Sequence, residues 1–126
     1  MNEQSLQILV LDDEPIVGKR LKTALEKNGY TVEVFEDSRA AMQRLGEKEF
    51  DIIVTDVRME EVDGIQVLEH VLERSARTKV IVITGYATVE VAREALAKGA
   101  FDFIAKPFKP DDLRQVIARA AAALKG

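Results

Sequence analysis

Residues 6–15 read LQILVLDDEP. The run LQILVL is apolar except for Gln7, and it ends abruptly in Asp12 and Asp13. It is too short for a buried helix and has the length of a strand. A strand with one wet face alternates apolar and polar residues. ILVL does not, so both of its faces are covered, which is the signature of a parallel sheet. Glu14 and Pro15 follow at once, and proline suits the first turn of a helix. Val17, Leu21, Ala24 and Leu25 then recur at helical spacing, and Asn28-Gly29 suits a helix end. The stretch therefore reads as a buried strand handing over directly to a helix.

The same unit occurs five times. Apolar runs fall at 6–11, 31–36, 50–55, 79–84 and 101–105, and amphipathic stretches at about 15–28, 38–47, 64–75, 87–98 and 110–125. Strict alternation of this kind predicts a parallel sheet with helices on both faces. IIV (52–54) and VIVI (80–83) are continuous like ILVL, whereas TVEVFE alternates and FDFIA is mixed. Strands one, three and four thus belong in the centre, with two and five at the edges. This fits the doubly wound, flavodoxin-like order 2-1-3-4-5, although other orders share that centre. The fifth helix opens KPDDL, with Asp111 and Asp112 where the helix dipole favours acids.

The 126 residues suit one domain, here taken as 1–126. No apolar run is long enough to span a membrane. The N-terminus lacks the basic region and cleavage site of a secretory signal. There is no cysteine, hence no disulfide framework or thiolate metal site, in keeping with the cytoplasm. A net charge of −4 without a Lys/Arg block argues against nucleic-acid binding by this chain.

In open α/β sheets, sites form beyond the carboxyl ends of the strands, where the strand order reverses. The residues at those ends are Asp12 and Asp13, Asp56, Thr84 and Lys106. Each alone has an ordinary explanation, such as a turn, a helix start or a solvated lysine. Together they place three carboxylates, a hydroxyl and an ammonium on one edge. Two carboxylates about 4 Å apart repel by about 1 kcal/mol in water and about 4 kcal/mol at a protein surface. A hard divalent cation relieves this, and Mg²⁺ takes one or two carboxylates together with phosphate. Zinc is disfavoured, since the only histidine, His70, falls on a helix and reads as a surface residue. A carboxylate beside Mg²⁺ can attack a phosphoryl group, with a lysine to neutralise the phosphoryl oxygens and a hydroxyl to donate to them.

At this point the chain resembles a receiver domain of two-component response regulators, from Leu6 to Leu124. The matching motifs are LDDE (11–14), Asp56 in VTDVRM, DG (63–64), ITG (83–85) and KPF (106–108). The resemblance implies a phosphoryl-accepting switch and not a turnover enzyme. Asp56 would be the phosphoacceptor. Asp12, Asp13, Asp56 and the Arg58 main-chain carbonyl would hold Mg²⁺. Lys106 would contact the phosphoryl group, next to a cis peptide to Pro107. Thr84 and Phe103 would be the switch pair, relaying the change to the surface of helix four, strand five and helix five. Implied partners are a sensor histidine kinase or phosphotransfer protein, an output domain or effector, and a second copy of the chain through helices four and five. Arg114, Arg119 and Asp111 would be available to that pairing, although a solvated face explains them too. Glu14 reads as helix-start chemistry beside Pro15.

Met59 is followed by Glu60 where many relatives have proline, and Arg58 and Tyr86 fall where side chains flank the phosphoryl site. The stretch TGYATVEVAREALAKGAFDFIAKPF resembles receivers of enhancer-binding transcription activators. Three rivals are weaker. An aspartate-nucleophile phosphohydrolase needs DxDxT after the first strand, and a flavodoxin-like cofactor binder needs an uncharged phosphate loop there; DDEPI is neither. A degenerate receiver acting only as an interaction module would have lost one of the site residues.

Overall fold

The computed structural model describes residues 5–57, 64–85 and 89–125. Five strands and five helices alternate: β1 (Gln7–Leu11), α1 (Pro15–Glu26), β2 (Thr31–Phe35), α2 (Ser38–Glu47), β3 (Ile52–Asp56), α3 (Gly64–Arg74), β4 (Lys79–Thr84), α4 (Val89–Ala97), β5 (Asp102–Ala105) and α5 (Pro110–Lys125). The strands form one parallel sheet in the order β2-β1-β3-β4-β5. The predicted order holds, and so do the predicted edges. Every residue of β3 is buried, while β5 is half-buried throughout and β2 buries only Val32.

Side chains alternate across a strand, and here that separates two cores. Ile8, Val10, Ile52, Val54, Ile81 and Ile83 face Leu21 and Leu25 of α1 and Leu113 and Ile117 of α5. Leu9, Leu11, Ile53, Val80 and Val82 face Ala41 of α2, Val67, Leu68 and Val71 of α3, and Ala95 of α4. The continuous apolar runs are thus the sum of two interleaved faces. Each fully buried Ile or Leu contributes about 1.5–3 kcal/mol of apolar burial, so the three central strands dominate the hydrophobic stabilisation.

The strand boundaries shift in one place that matters. The third apolar run was expected at 50–55, but β3 runs from Ile52 to Asp56, so Asp56 is the last strand residue. Phe50 instead plugs the α2 side of the core at 1% exposure. Two glycines are demanded by the backbone. Gly29 ends the α1 turn at φ +90°, where a side chain would be strained. Gly64 opens α3 hard against the end of β3: a Cβ there would lie 2.3 Å from the Asp56 carbonyl oxygen and 2.8 Å from the Val57 Cα. The Gly64 N–H donates to the Val57 carbonyl at 2.9 Å, which ties α3 to the tip of β3.

Candidate functional site: an acidic pocket at the carboxyl edge

The strand ends converge as the strand order required. Asp12 follows β1, and its N–H donates to Phe35 O of β2 at 3.1 Å. Asp56 ends β3, and the next residue's N–H donates to Ile83 O of β4 at 2.9 Å. Lys106 follows β5, and its N–H donates to Thr84 O at 2.8 Å. Backbone bonds between adjacent strands thus fix the positions of Asp12, Asp56 and Lys106. Asp12, Asp56 and Thr84 are buried, at 0%, 5% and 1% exposure, while Asp13 is exposed. Carboxylate oxygens of Asp12, Asp13 and Asp56 all lie within 4.8 Å of one another.

Among the described residues, the Lys106 ammonium faces this group. Lys106 Nζ lies 2.9 Å from Asp56 Oδ2, 3.1 Å from Asp12 Oδ2 and 2.5 Å from Glu14 Oε1. Burial pushes the lysine down, but the hydrogen bonds to Glu14 and Asp56 and the nearby charge of Asp12 outweigh it, and Lys106 titrates above its ordinary range. For Asp12 burial wins. Its carboxyl is held above the ordinary range, with the Glu14 N–H and Lys106 pulling it down and the charge of Asp56 adding to the rise. Asp12 Oδ1 accepts the Glu14 N–H at 2.8 Å. Asp12 Oδ2 is buried and, despite the nearby lysine, has no donor in hydrogen-bond geometry among the described residues. A buried, under-satisfied carboxylate oxygen beside two further carboxylates is the condition a hard cation meets. Asp12, Asp13 and Asp56 therefore fit a divalent ion by chemistry and spacing.

The structure corrects two sequence readings. Glu14 occupies the N-cap position of α1, but its side chain makes no capping bond. It reaches to Lys106 instead, because the Asp12 turn presents it towards β5. Adjacency in LDDE was the only sequence signal, and it does not show which way the side chain points. His70 is less exposed than the surface reading implies: it is half-buried, and its buried Nε2 has no hydrogen-bond partner among the described residues. Phe103 is half-buried against the α2–α3–α4 core. The Lys106–Pro107 peptide is cis. Arg114 pairs with Asp111 one turn away, and Arg119 pairs with Asp102 at 3.1 Å, both within the chain. Arg58, Met59, Glu60, Asp63 and Tyr86 lie outside the described residues.

A doubly wound parallel sheet with a lysine-bridged carboxylate pocket at its switch point defines the class of this α/β domain. The family follows from comparison. A family model described as "Response regulator receiver domain" matches residues 8–118, and the chain belongs to that family, the receivers of two-component response regulators. Regulatory protein AtoC of Escherichia coli K12 is 40% identical over 114 residues, covering 90% of this chain and 25% of that protein. Transcriptional regulatory protein FixJ of Bradyrhizobium diazoefficiens is 34% identical over 113 residues, covering 90% of this chain and 55% of that protein. The chain thus spans between a quarter and about half the length of these relatives. Among solved structures, the beryllofluoride-activated NtrC4 receiver domain dimer superposes with a TM-score of 0.88 at 35% identity, covering 94% of this chain and 98% of that one. Among the described residues, no helix is long and apolar enough to cross a membrane.

Proposed function

We propose that this chain is a phosphoryl-accepting switch in which Asp56 is the acceptor. The observation that carries the reading is the half-buried ammonium of Lys106 bridging Asp56, Asp12 and Glu14 at the strand ends. An Asp56 oxygen attacks phosphorus of a phosphohistidine on a sensor kinase or phosphotransfer protein. The P–O bond forms, the P–N bond breaks, and the imidazole leaves and takes a proton from solvent. No general base is needed, because the nucleophile is already an anion. Lys106 binds phosphoryl oxygens as a point charge, and the Thr84 hydroxyl at the end of β4 donates to another. Asp12, Asp13, Asp56 and the Arg58 carbonyl would hold Mg²⁺, which neutralises phosphoryl charge when bound.

Thr84 ends β4, and Phe103 lies two residues further back in neighbouring β5, opposite Val82; movement of the threonine towards the phosphoryl group lets the aromatic ring repack. The surface of α4, β5 and α5 then changes, a local charge event biasing a two-state element. Leu96 of α4 is 45% exposed on that side, an apolar contact available to an output domain, an effector or a second copy. The activated NtrC4 receiver is a dimer, and a corresponding homodimer belongs to this proposal. The exposed Ile16 on α1, beside Pro110 and Arg114, offers the kinase an apolar anchor close to the pocket. The setting is cytoplasmic, and the chain is a switch rather than an enzyme with a separate substrate.

The test is an intact mass after incubation with Mg²⁺ and acetyl phosphate. One added phosphoryl group, absent with a chelator and absent in Asp56→Asn, supports the reading. No gain at any Mg²⁺ concentration contradicts it and favours a receiver that acts only as an interaction module.

A further inference from the structure

We infer that Glu14 is a positioning residue for Lys106, holding the ammonium at the mouth of the pocket until a phosphoryl group draws it inward. The inference rests on the phosphoryl-accepting reading above and adds to it a residue outside the carboxylate triad. Three observations carry it. Glu14 Oε1 makes the shortest of the three contacts to Lys106, at 2.5 Å against 2.9 Å and 3.1 Å. Its backbone is fixed, because the Glu14 N–H is held by Asp12 Oδ1 at 2.8 Å and its carbonyl accepts from Val17 and Gly18. Its carboxylate is not spent on the helix, since it forms no capping bond to α1.

Glu14 differs from the other acids in one respect. Asp12, Asp13 and Asp56 share a metal-sized cluster and Glu14 is outside it. A divalent cation among those three would repel the Lys106 ammonium from Asp12 and Asp56 by like charge. Glu14 is then the carboxylate still placed to hold it. That has two opposed consequences. The glutamate lowers the competition between lysine and cation for Asp12 and Asp56, which helps the cation bind. It also competes with the phosphoryl oxygens for the same three ammonium protons, which slows phosphoryl uptake.

The test compares wild type, Glu14→Gln and Glu14→Asp. Glutamine removes the charge; aspartate keeps it but is one methylene short of Lys106. Mg²⁺ affinity is measured by titrating thermal stability with MgCl₂. Uptake is measured from acetyl phosphate at saturating Mg²⁺. Exchange of the Lys106 ammonium protons with water is followed by ¹⁵N NMR in the metal-free protein. Glu14→Gln should bind Mg²⁺ more weakly yet take up phosphoryl faster, each by roughly two- to fivefold, the range of an ion pair with one exposed partner. Its Lys106 protons should exchange faster. Glu14→Asp keeps the charge but not the hold on Lys106, so it should share the faster uptake and fall between wild type and Glu14→Gln in Mg²⁺ affinity. Unchanged ammonium exchange, or uptake that is equal or slower at saturating Mg²⁺ in Glu14→Gln, overturns the inference. Failure of the wild type itself to take up phosphoryl overturns the underlying reading as well, and is told apart because it appears before any variant is compared.

Discussion

Asp51 and Asp56 flank the same apolar run, FDIIVTD, at opposite ends of β3. Asp51 is fully engaged. Its Oδ2 accepts the Gln7 N–H at 2.7 Å, its Oδ1 accepts from Arg77 at 2.6 Å, and its backbone bonds to Gln7 and Lys79. It stitches the beginnings of β1, β3 and β4 together, one acid to one base. Asp56 shares one ammonium with Asp12 and Glu14, and Asp13 stands alongside. At the amino end of the sheet the charges close on themselves. At the carboxyl end, among the described residues, four acids surround one base and two of them, Asp12 and Asp56, are buried, an arrangement that awaits a ligand. Under the proposed function, the difference between a structural and a reactive aspartate lies in this local balance, not in residue type or distance from the core.

The sharpest way to break the comparison is to neutralise each aspartate in turn. Asp56→Asn should take up no phosphoryl group from acetyl phosphate. Asp51→Asn should take it up at close to the wild-type rate and lose only the half-exposed Arg77 pair, up to about 1 kcal/mol. Intact mass and urea unfolding check the two halves. Gly64→Ala comes next, because it pushes a methyl into the backbone of Asp56. Uptake should fall by about 10- to 100-fold, as for a reacting group misplaced by about 1 Å, and stability by about 1–3 kcal/mol.

A fourth variant probes the surplus of negative charge. In metal-free protein, Asp12→Asn should raise stability at neutral pH by about 1–3 kcal/mol, since it removes a buried, poorly paired charge. The sign follows from the raised carboxyl of Asp12. The cost of its charged form is felt above the folded pKa and is absent below the unfolded value of 3.8, where both states are protonated. The advantage of asparagine should therefore vanish in acid, and the gain in Tm on adding Mg²⁺ should shrink. The smallest effect belongs to a closed cluster of the Asp51 kind. Glu33 is held by Arg44 at 2.9 Å and Lys48 at 3.1 Å. Arg44 above all keeps its carboxyl below the ordinary range, against a smaller opposing effect of burial. Glu33→Gln should cost up to about 1 kcal/mol above pH 4.5. That difference should fade as the pH falls through the lowered pKa of Glu33, as read from urea midpoints at two pH values.

The sheet order was legible because burial on both faces leaves a composition mark, and ILVL, IIV and VIVI carry it while TVEVFE does not. The site was legible for a related reason: parallel strands bring their carboxyl ends together, so Asp12, Asp56, Thr84 and Lys106 could be placed on one edge from their positions alone. Glu14 was not legible, because its role depends on the direction of a flexible side chain set by the Asp12 turn. His70 was misplaced because a helix carries no mark in sequence of how far its neighbours reach around it. The closeness of Gly64 to Asp56 is likewise a property of how α3 meets β3, which no spacing in the sequence records.

The two ends of β3 fall in a single tryptic peptide, EFDIIVTDVR (49–58), so one experiment compares them directly. The protein is phosphorylated with acetyl phosphate and Mg²⁺, reduced with borohydride to convert any aspartyl phosphate to homoserine, digested, and the peptide fragmented in the mass spectrometer. Homoserine at position 56 with intact aspartate at 51 is the expected result. Homoserine at position 51, at Asp12 or Asp13, or at none of them, contradicts Asp56 as the acceptor.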